Sequence, residues 1–225
     1  MNGIHEPLVS CLTPTWNRRE FIPRAVECFL SQDYPNLEWV IDDDGEPILD
    51  LLPAHPRIKY FHEEPKRCHG VKMNRCFELS AGEYGIVFDD DDWYAPSRVR
   101  EQIMPLIQNR SKVVSGLGEF FYYVHGSHTA YRYNAGMIPW MGAIALRRTT
   151  WEQYRFDTSP APGADNRLLK MIPLEAWHRV QNPGLVIAAI HGSNDCRKQI
   201  PDVDHITSPY SREPWSTIQA LTGWS

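Results

Sequence analysis

"YGIVFDDDDWYAP", residues 84–96, joins a short apolar run to four consecutive aspartates, Asp89, Asp90, Asp91 and Asp92. The apolar run reads as a buried strand. Two unit charges about 4 Å apart repel by roughly 1 kcal/mol in water, and by more where water is excluded. Four adjacent carboxylates at a strand end therefore oppose folding unless something offsets them. In an extended chain, side chains alternate, which places Asp89 and Asp91 on one side and Asp90 and Asp92 on the other. Converging carboxylates at that spacing suit a hard divalent cation such as Mg2+ or Mn2+. A solvated acidic turn ahead of the next helix is the competing reading of the same four residues.

The flanking sequence repeats the pattern. "PLVSCLTPTW" predicts a strand over residues 8–13, stopped by Pro14, and Phe21, Ile22, Ala25, Val26, Phe29 and Leu30 recur at helical spacing after it. "LEWVI" predicts a second strand that runs into Asp42, Asp43, Asp44 and Gly45, and "RIKYF" a third. "GVKMNRCFELSAGEY" predicts a helix closed near Ala81 and Gly82, and "PSRVREQIMPLIQ" a helix kinked at Pro105. Strands alternating with helices specify a largely parallel sheet with helices on both faces. Ligands of such sheets bind beyond the carboxyl ends of the strands, where both acidic clusters and "TPTWN" fall. Beyond residue 108 the pattern is less regular. "EFFYYVHGSHTAYRY" predicts a hairpin turning at Gly126, "MGAIALRRTTW" an apolar stretch entering a helix, "GADNRLLKMI" a helix, and "GLVIAAIHGSN" a buried strand ending at His191. "SPYSREPWSTIQALTGWS" predicts a short helix on the body.

Composition narrows the class. The chain of 225 residues is long enough for a sizeable core, as one domain or two closely joined halves. Its net charge of -5 argues against a general nucleic-acid binder. No apolar run is long enough to span a bilayer, and the first residues lack the pattern of a secretory signal. Five scattered cysteines, Cys11, Cys28, Cys68, Cys76 and Cys196, point to free thiols and a cytoplasmic location rather than a disulfide framework or a zinc site.

"VSCLTPTWNRREFIPRAVECFLSQDYPNLEWVIDDDG" and "NRCFELSAGEYGIVFDDDDWYAP" together resemble the nucleotide-binding half of family 2 glycosyltransferases. The resemblance implies an α/β GT-A (Rossmann-like) fold, a mostly parallel sheet flanked by helices with a smaller mixed acceptor-side half. Residues 1–108 would form the nucleotide-sugar-binding half and residues 109–225 the acceptor-binding half of the same domain. It implies a metal-dependent inverting transferase using Mn2+ or Mg2+ and a nucleotide-sugar donor, UDP-linked, with a hydroxyl acceptor. "FDDDDW" matches the DxD motif, which makes Asp91 a metal ligand and places Asp89 and Asp90 near the ribose or a metal-bound water. "VIDDDG" matches the strand tip whose aspartate accepts the uracil N–H, which suits Asp43, with Asp44 as its alternate. "TPTWNR" matches the loop along the nucleotide, with Thr13 and Pro14 nearest it. In "KMNRC", Asn74 matches the nucleotide-binding Arg-Asn pair, whereas Met73 stands at the arginine position, leaving Lys72 or Arg75 to supply the charge. "GADNRL" resembles the segment carrying the catalytic base, Asp165, with Ala164 where the family often has Glu. His191 resembles the C-terminal histidine that helps hold metal or diphosphate, and Gly142 the glycine that lets the chain approach the donor sugar.

The acceptor stays open between a glycan, a protein side chain and a hydroxylated base of nucleic acid. Two other classes use similar acidic sites: a nucleotidyltransferase, which would release pyrophosphate, and an inactive sugar- or metal-binding module.

Overall fold

The computed structural model describes residues 6–136, 139–159, 166–194 and 210–225. Strands β1 (Val9–Thr15), β2 (Leu37–Asp43), β3 (Ile58–His62) and β4 (Tyr84–Val87) alternate with helices α1 (Ile22–Leu30) and α2 (His69–Leu79). A two-residue strand β5 (Trp93–Tyr94) and helix α3 (Arg98–Gln108) follow. The remaining elements are β6 (Val114–Leu117), β7 (Glu119–Val124), β8 (Ala130–Asn134), β9 (Ile144–Arg147), α4 (Arg148–Tyr154), α5 (Asn166–Met171), β10 (Trp177–Val180), β11 (Val186–Ile190), β12 (Tyr210–Glu213) and α6 (Trp215–Thr222). Among the described residues no helix is long and apolar enough to cross a membrane.

Seven strands form one sheet in the order β10-β6-β9-β4-β1-β2-β3. Every pair in it is parallel except the two that β9 makes. The pleat divides its side chains between two cores. Val9, Cys11, Trp39 and Ile41 pack with α1 and α3, whereas Leu12, Val40 and Val87 pack with Met73 and Phe77 of α2 and Trp151 of α4. Because β1 runs parallel to both β2 and β4, the acidic tips of β2 and β4 and the Thr13–Thr15 end of β1 share one edge.

A second sheet has the order β12-β8-β7-β11-β5. Asp89 to Asp92 are the passage from β4 in the first sheet to β5 in the second. β5 pairs antiparallel with β11, Val186 opposite Tyr94, so the far end of β11 returns His191 to the acidic passage. Both sheets draw on both parts of the chain: β5 joins the second, while β6, β9 and β10 join the first.

Four expectations need correction. Pro14 does not stop β1, which continues to Thr15. The Phe88 N–H donates to the Leu12 carbonyl, 2.9 Å, so Pro14, two residues on, faces the side where β4 has already ended and its missing donor costs no ladder bond. Gly82 follows rather than closes α2, which ends at Leu79. A side chain there would collide with Ser10, so close approach explains the glycine. The tail contributes strand β12 as well as a helix, and on α1 Leu30 faces solvent, 40% exposed.

Candidate active site

The acidic row is bent, not extended. Asp90 and Asp91 turn to the same guanidinium: Arg18 Nη1 donates to Asp90 Oδ1, 3.3 Å, and to Asp91 Oδ2. Thr15 Oγ1 donates to Asp90 Oδ2. Burial, and then the charge of Asp91 beside it, push the Asp90 carboxyl up to about 6, against the pull of Arg18. Asp92 turns away, its Oδ1 accepting the Ala189 N–H of β11 at 2.9 Å. The expected alternation of sides therefore fails, because the chain bends between two sheets at this point. The protein's own donors, Arg18, Thr15 and the Ala189 N–H, offset part of the repulsion within the row.

His191 Nε2 lies 2.9 Å from Asp91 Oδ2, across 100 residues of sequence. Asn194 Nδ2 donates to the same oxygen at 3.2 Å, and the Asn194 Oδ1 accepts the His191 main-chain N–H at 2.8 Å. Ser193 Oγ contacts His191 Nδ1 at 2.8 Å, and the Ser193 carbonyl accepts from Arg18 Nη2 at 2.8 Å. The "HGSN" turn is thereby locked to the acidic tip.

The β2 tip is organised by cations. Asp42 accepts from Arg67 Nη2 and Arg75 Nε, each at 3.1 Å, and burial raises its pKa against both. Asp43 Oδ1 accepts the Gly45 N–H at 2.9 Å and its Oδ2 the Tyr60 hydroxyl at 2.8 Å. Asp44 accepts from Lys72 Nζ, 2.8 Å, and from the Arg67 N–H, 2.6 Å. Asp43 and Asp44 are both buried, and a carboxylate with two partners retains acceptor capacity. Lys72 Nζ also donates to the Thr15 carbonyl at 2.9 Å, tying β1 to β2, and is itself buried. Arg75 is the more exposed of the two cations expected to replace the arginine absent at Met73, its side chain one-third accessible. Met73 is core.

The other expected residues divide. Thr13 Oγ1 donates to the Phe88 carbonyl and accepts from Trp39 Nε1 at 2.7 Å. It braces the β1 end beside the buried Pro14. Asp89 leads into the bend, its carbonyl accepting from the Tyr94 hydroxyl at 3.2 Å. Gly142 lies in a tight turn before β9, and a side chain on it would strike the Trp140 ring. Asn74 departs from expectation. Its Oδ1 accepts from Trp151 Nε1, 2.8 Å, and from the Phe156 N–H, 2.9 Å, while its Nδ2 donates to the Phe156 carbonyl at 2.9 Å. These bonds secure α4 and the segment after it. Asp165 lies outside the described residues, as does Cys196.

Sequence reasoning missed Arg18 and Arg67, whose roles come from partners far along the chain. It also passed over Trp16, 37% exposed beside Gly45, with Lys66 Nζ 3.3 Å from its ring centroid. The cysteines are free where described, and burial lifts the Cys28 thiol to about 11 and the Cys11 thiol to about 12.

Among the described residues no three His, Cys, Asp or Glu side chains gather as a metal cage. The two converging donors, Asp91 Oδ2 and His191 Nε2, do fit an ion that takes its remaining ligands from water and a substrate diphosphate, as Mg2+ and Mn2+ do.

A family model described as Glycosyl transferase family 2 matches residues 10–160. WcaA of Escherichia coli (strain K12), a glycosyl transferase provisionally assigned to colanic acid biosynthesis, is 36% identical over 101 residues, 42% of this chain and 36% of WcaA. TuaG of Bacillus subtilis (strain 168), provisionally assigned to teichuronic acid biosynthesis, is 30% identical over 104 residues, 44% of this chain and 41% of TuaG. The chain thus spans less than half the length of these relatives. The fold is similar to that of the mannosyltransferase PcManGT from Pyrobaculum calidifontis, solved with GDP-Man and Mn2+, at TM-score 0.67 and 16% identity over 84% of this chain and 59% of that one. S. aureus TarS 1–349 with UDP-GlcNAc gives TM-score 0.67 and 15% identity over 83% and 60%.

Proposed function

From the premise that the chain belongs to glycosyl transferase family 2, with the GT-A fold, we propose that it moves a sugar from a UDP-linked donor to a hydroxyl acceptor, with a divalent cation and inversion at the anomeric carbon. The observation that carries this reading is the meeting of Asp91 with His191 at 2.9 Å, at the sheet edge that also holds the tips of β1 and β2. Two neighbours of this fold were solved with GDP-Man and with UDP-GlcNAc. Residues 1–108 serve the nucleotide and residues 109–225 the acceptor. The buried free thiols suit a cytoplasmic setting.

Asp91 and His191 would hold the cation, and Mn2+ or Mg2+ there would neutralise negative charge on the leaving diphosphate. Arg18, hydrogen-bonded to both Asp90 and Asp91, adds a fixed positive charge at the same place. The exposed ring of Trp16 offers the base a stacking face beside Asp43, which accepts the uracil N–H. Gly142, whose missing side chain makes room for the Trp140 ring, lets the chain approach the donor sugar. Asp165 takes the acceptor's proton as that oxygen attacks the anomeric carbon from the face opposite the diphosphate, whose bond to the sugar breaks. Tyr133 packs on Tyr210 and, like Trp140, on Phe120; all but Phe120 are half-buried and present aromatic faces to a glycan, a protein side chain or a hydroxylated base.

Slow hydrolysis of UDP-sugars with Mn2+ and no acceptor tests the activity. Release of pyrophosphate from a nucleoside triphosphate instead would replace this reading with nucleotidyl transfer. Asp165→Asn is expected to lower turnover at least a hundredfold while UDP and Mn2+ still bind in calorimetry. Normal turnover by that variant would remove Asp165 as the base.

A further inference from the structure

Helix α1 supplies no ligand to the proposed cation, yet its N-cap, Phe21, and Arg24 of its first turn touch both residues that do. Phe21 and Arg24, three positions apart, project from one side of the helix. The Phe21 ring packs on the His191 imidazole, centroids 4.6 Å apart, and edge-on against His125 at 5.3 Å. Arg24 reaches the other ligand. Its Nη2 donates to the main-chain carbonyl of Asp91 at 3.1 Å, and its Nη1 to the Tyr123 hydroxyl at 2.5 Å. The guanidinium carbon lies 5.2 Å from the ring centroid of Trp224, 5.5 Å from that of Tyr123 and 5.8 Å from that of Phe21. Trp224 in turn sits edge-on to Tyr123 at 5.0 Å. Cations are attracted to such ring faces, so three aromatic side chains from the N-cap of α1, from β7 and from the segment after α6 fix one guanidinium.

Asp91 stands in the bend between β4 and β5, outside either strand, and its direction depends on contacts of this kind. We propose that Arg24, boxed by Phe21, Tyr123 and Trp224, is a positioning residue that aims Asp91 at His191 and so sets the affinity of the site for a divalent cation. The inference rests on the reading of Asp91 and His191 as the cation's ligands. It couples Trp224, in the segment after α6, to cation binding at Asp91.

Calorimetric titration of Mn2+ into the wild type, Arg24→Gln, Trp224→Ala and Trp224→Phe, with metal-free UDP binding and thermal melts alongside, tests it. Removing groups that orient metal ligands typically weakens metal binding 10–100-fold. Arg24→Gln and Trp224→Ala are expected to lose about tenfold in Mn2+ affinity, while UDP alone binds unchanged and Trp224→Phe returns to within about twofold. Unaltered Mn2+ affinity in folded Arg24→Gln overturns the proposal. So does a loss in Trp224→Ala that metal-free UDP binding and the melting temperature share in proportion, which marks packing alone. A wild type that binds no Mn2+ at all instead defeats the cation reading beneath it.

Discussion

Asp90 sits between a like charge and an opposite one, and its protonation gives a separate handle on the acidic tip. Its pKa in the fold is about 6 against an ordinary 3.8. The folded state therefore binds the extra proton between these values, and the unfolded chain does not. Asp90's contribution to stability is most favourable below pH 3.8 and is lost as the pH rises through about 6, a change of up to about 3 kcal/mol. Asn at this position does not titrate. The stability of metal-free wild type relative to Asp90→Asn is expected to improve by about 2 kcal/mol as pH falls from 7.5 to 4.5 in urea melts, and a constant difference would refute the assignment. The aspartates were legible because four in a row have no structural motive. Arg18, Arg24 and Arg67 were not, since a lone arginine carries no sign of a carboxylate or carbonyl 23 to 73 residues away.

Between elements, buried polar side chains hold the strand tips in register. Lys72 joins the end of β1 to Asp44 beyond β2 from inside α2. Breaking a buried ion pair from one side leaves the other charge uncompensated, so Lys72→Met is expected to cost about 3–5 kcal/mol, read as a lower urea midpoint with unchanged slope. Asn74→Ala leaves the Trp151 Nε1–H and the Phe156 N–H without their partner. A loss of about 1–3 kcal/mol is expected, with UDP affinity held. A drop in UDP affinity at intact stability would instead return Asn74 to the nucleotide site. β1 to β3 and α1 to α3 were legible from their patterning, and the four-residue β4 from the apolar run ahead of the aspartates. β5 has two residues, and β6, β10 and β12 have four each. Runs that short show no period, and only the partner strand makes them strands. The partners of Asn74 were hidden for a related reason: its helix was legible, but the packing of α4 against that helix was not.

Across the molecule, the reading depends on one topological event. The chain crosses from the seven-stranded to the five-stranded sheet at Asp89–Asp92, and β11 returns His191 to that crossing. The parallel sheet and its acidic edge could be read from the alternation of strands and helices. Of the second sheet only the β7–β8 hairpin could be read, because β7 pairs on its other side with β11 more than sixty residues later. A ligand bound only by the folded chain raises its stability by about 2.7 kcal/mol at a hundred times its Kd, so UDP with Mn2+ is expected to raise the melting temperature by roughly 5–10 °C. The most direct test of the central claim is calorimetric titration of UDP with and without Mn2+, on the wild type and on Asp91→Asn. Mn2+ should strengthen UDP binding at least about tenfold in the wild type and not at all in the variant. Equal UDP affinity with and without Mn2+ in the wild type, or the same gain in Asp91→Asn, would contradict it.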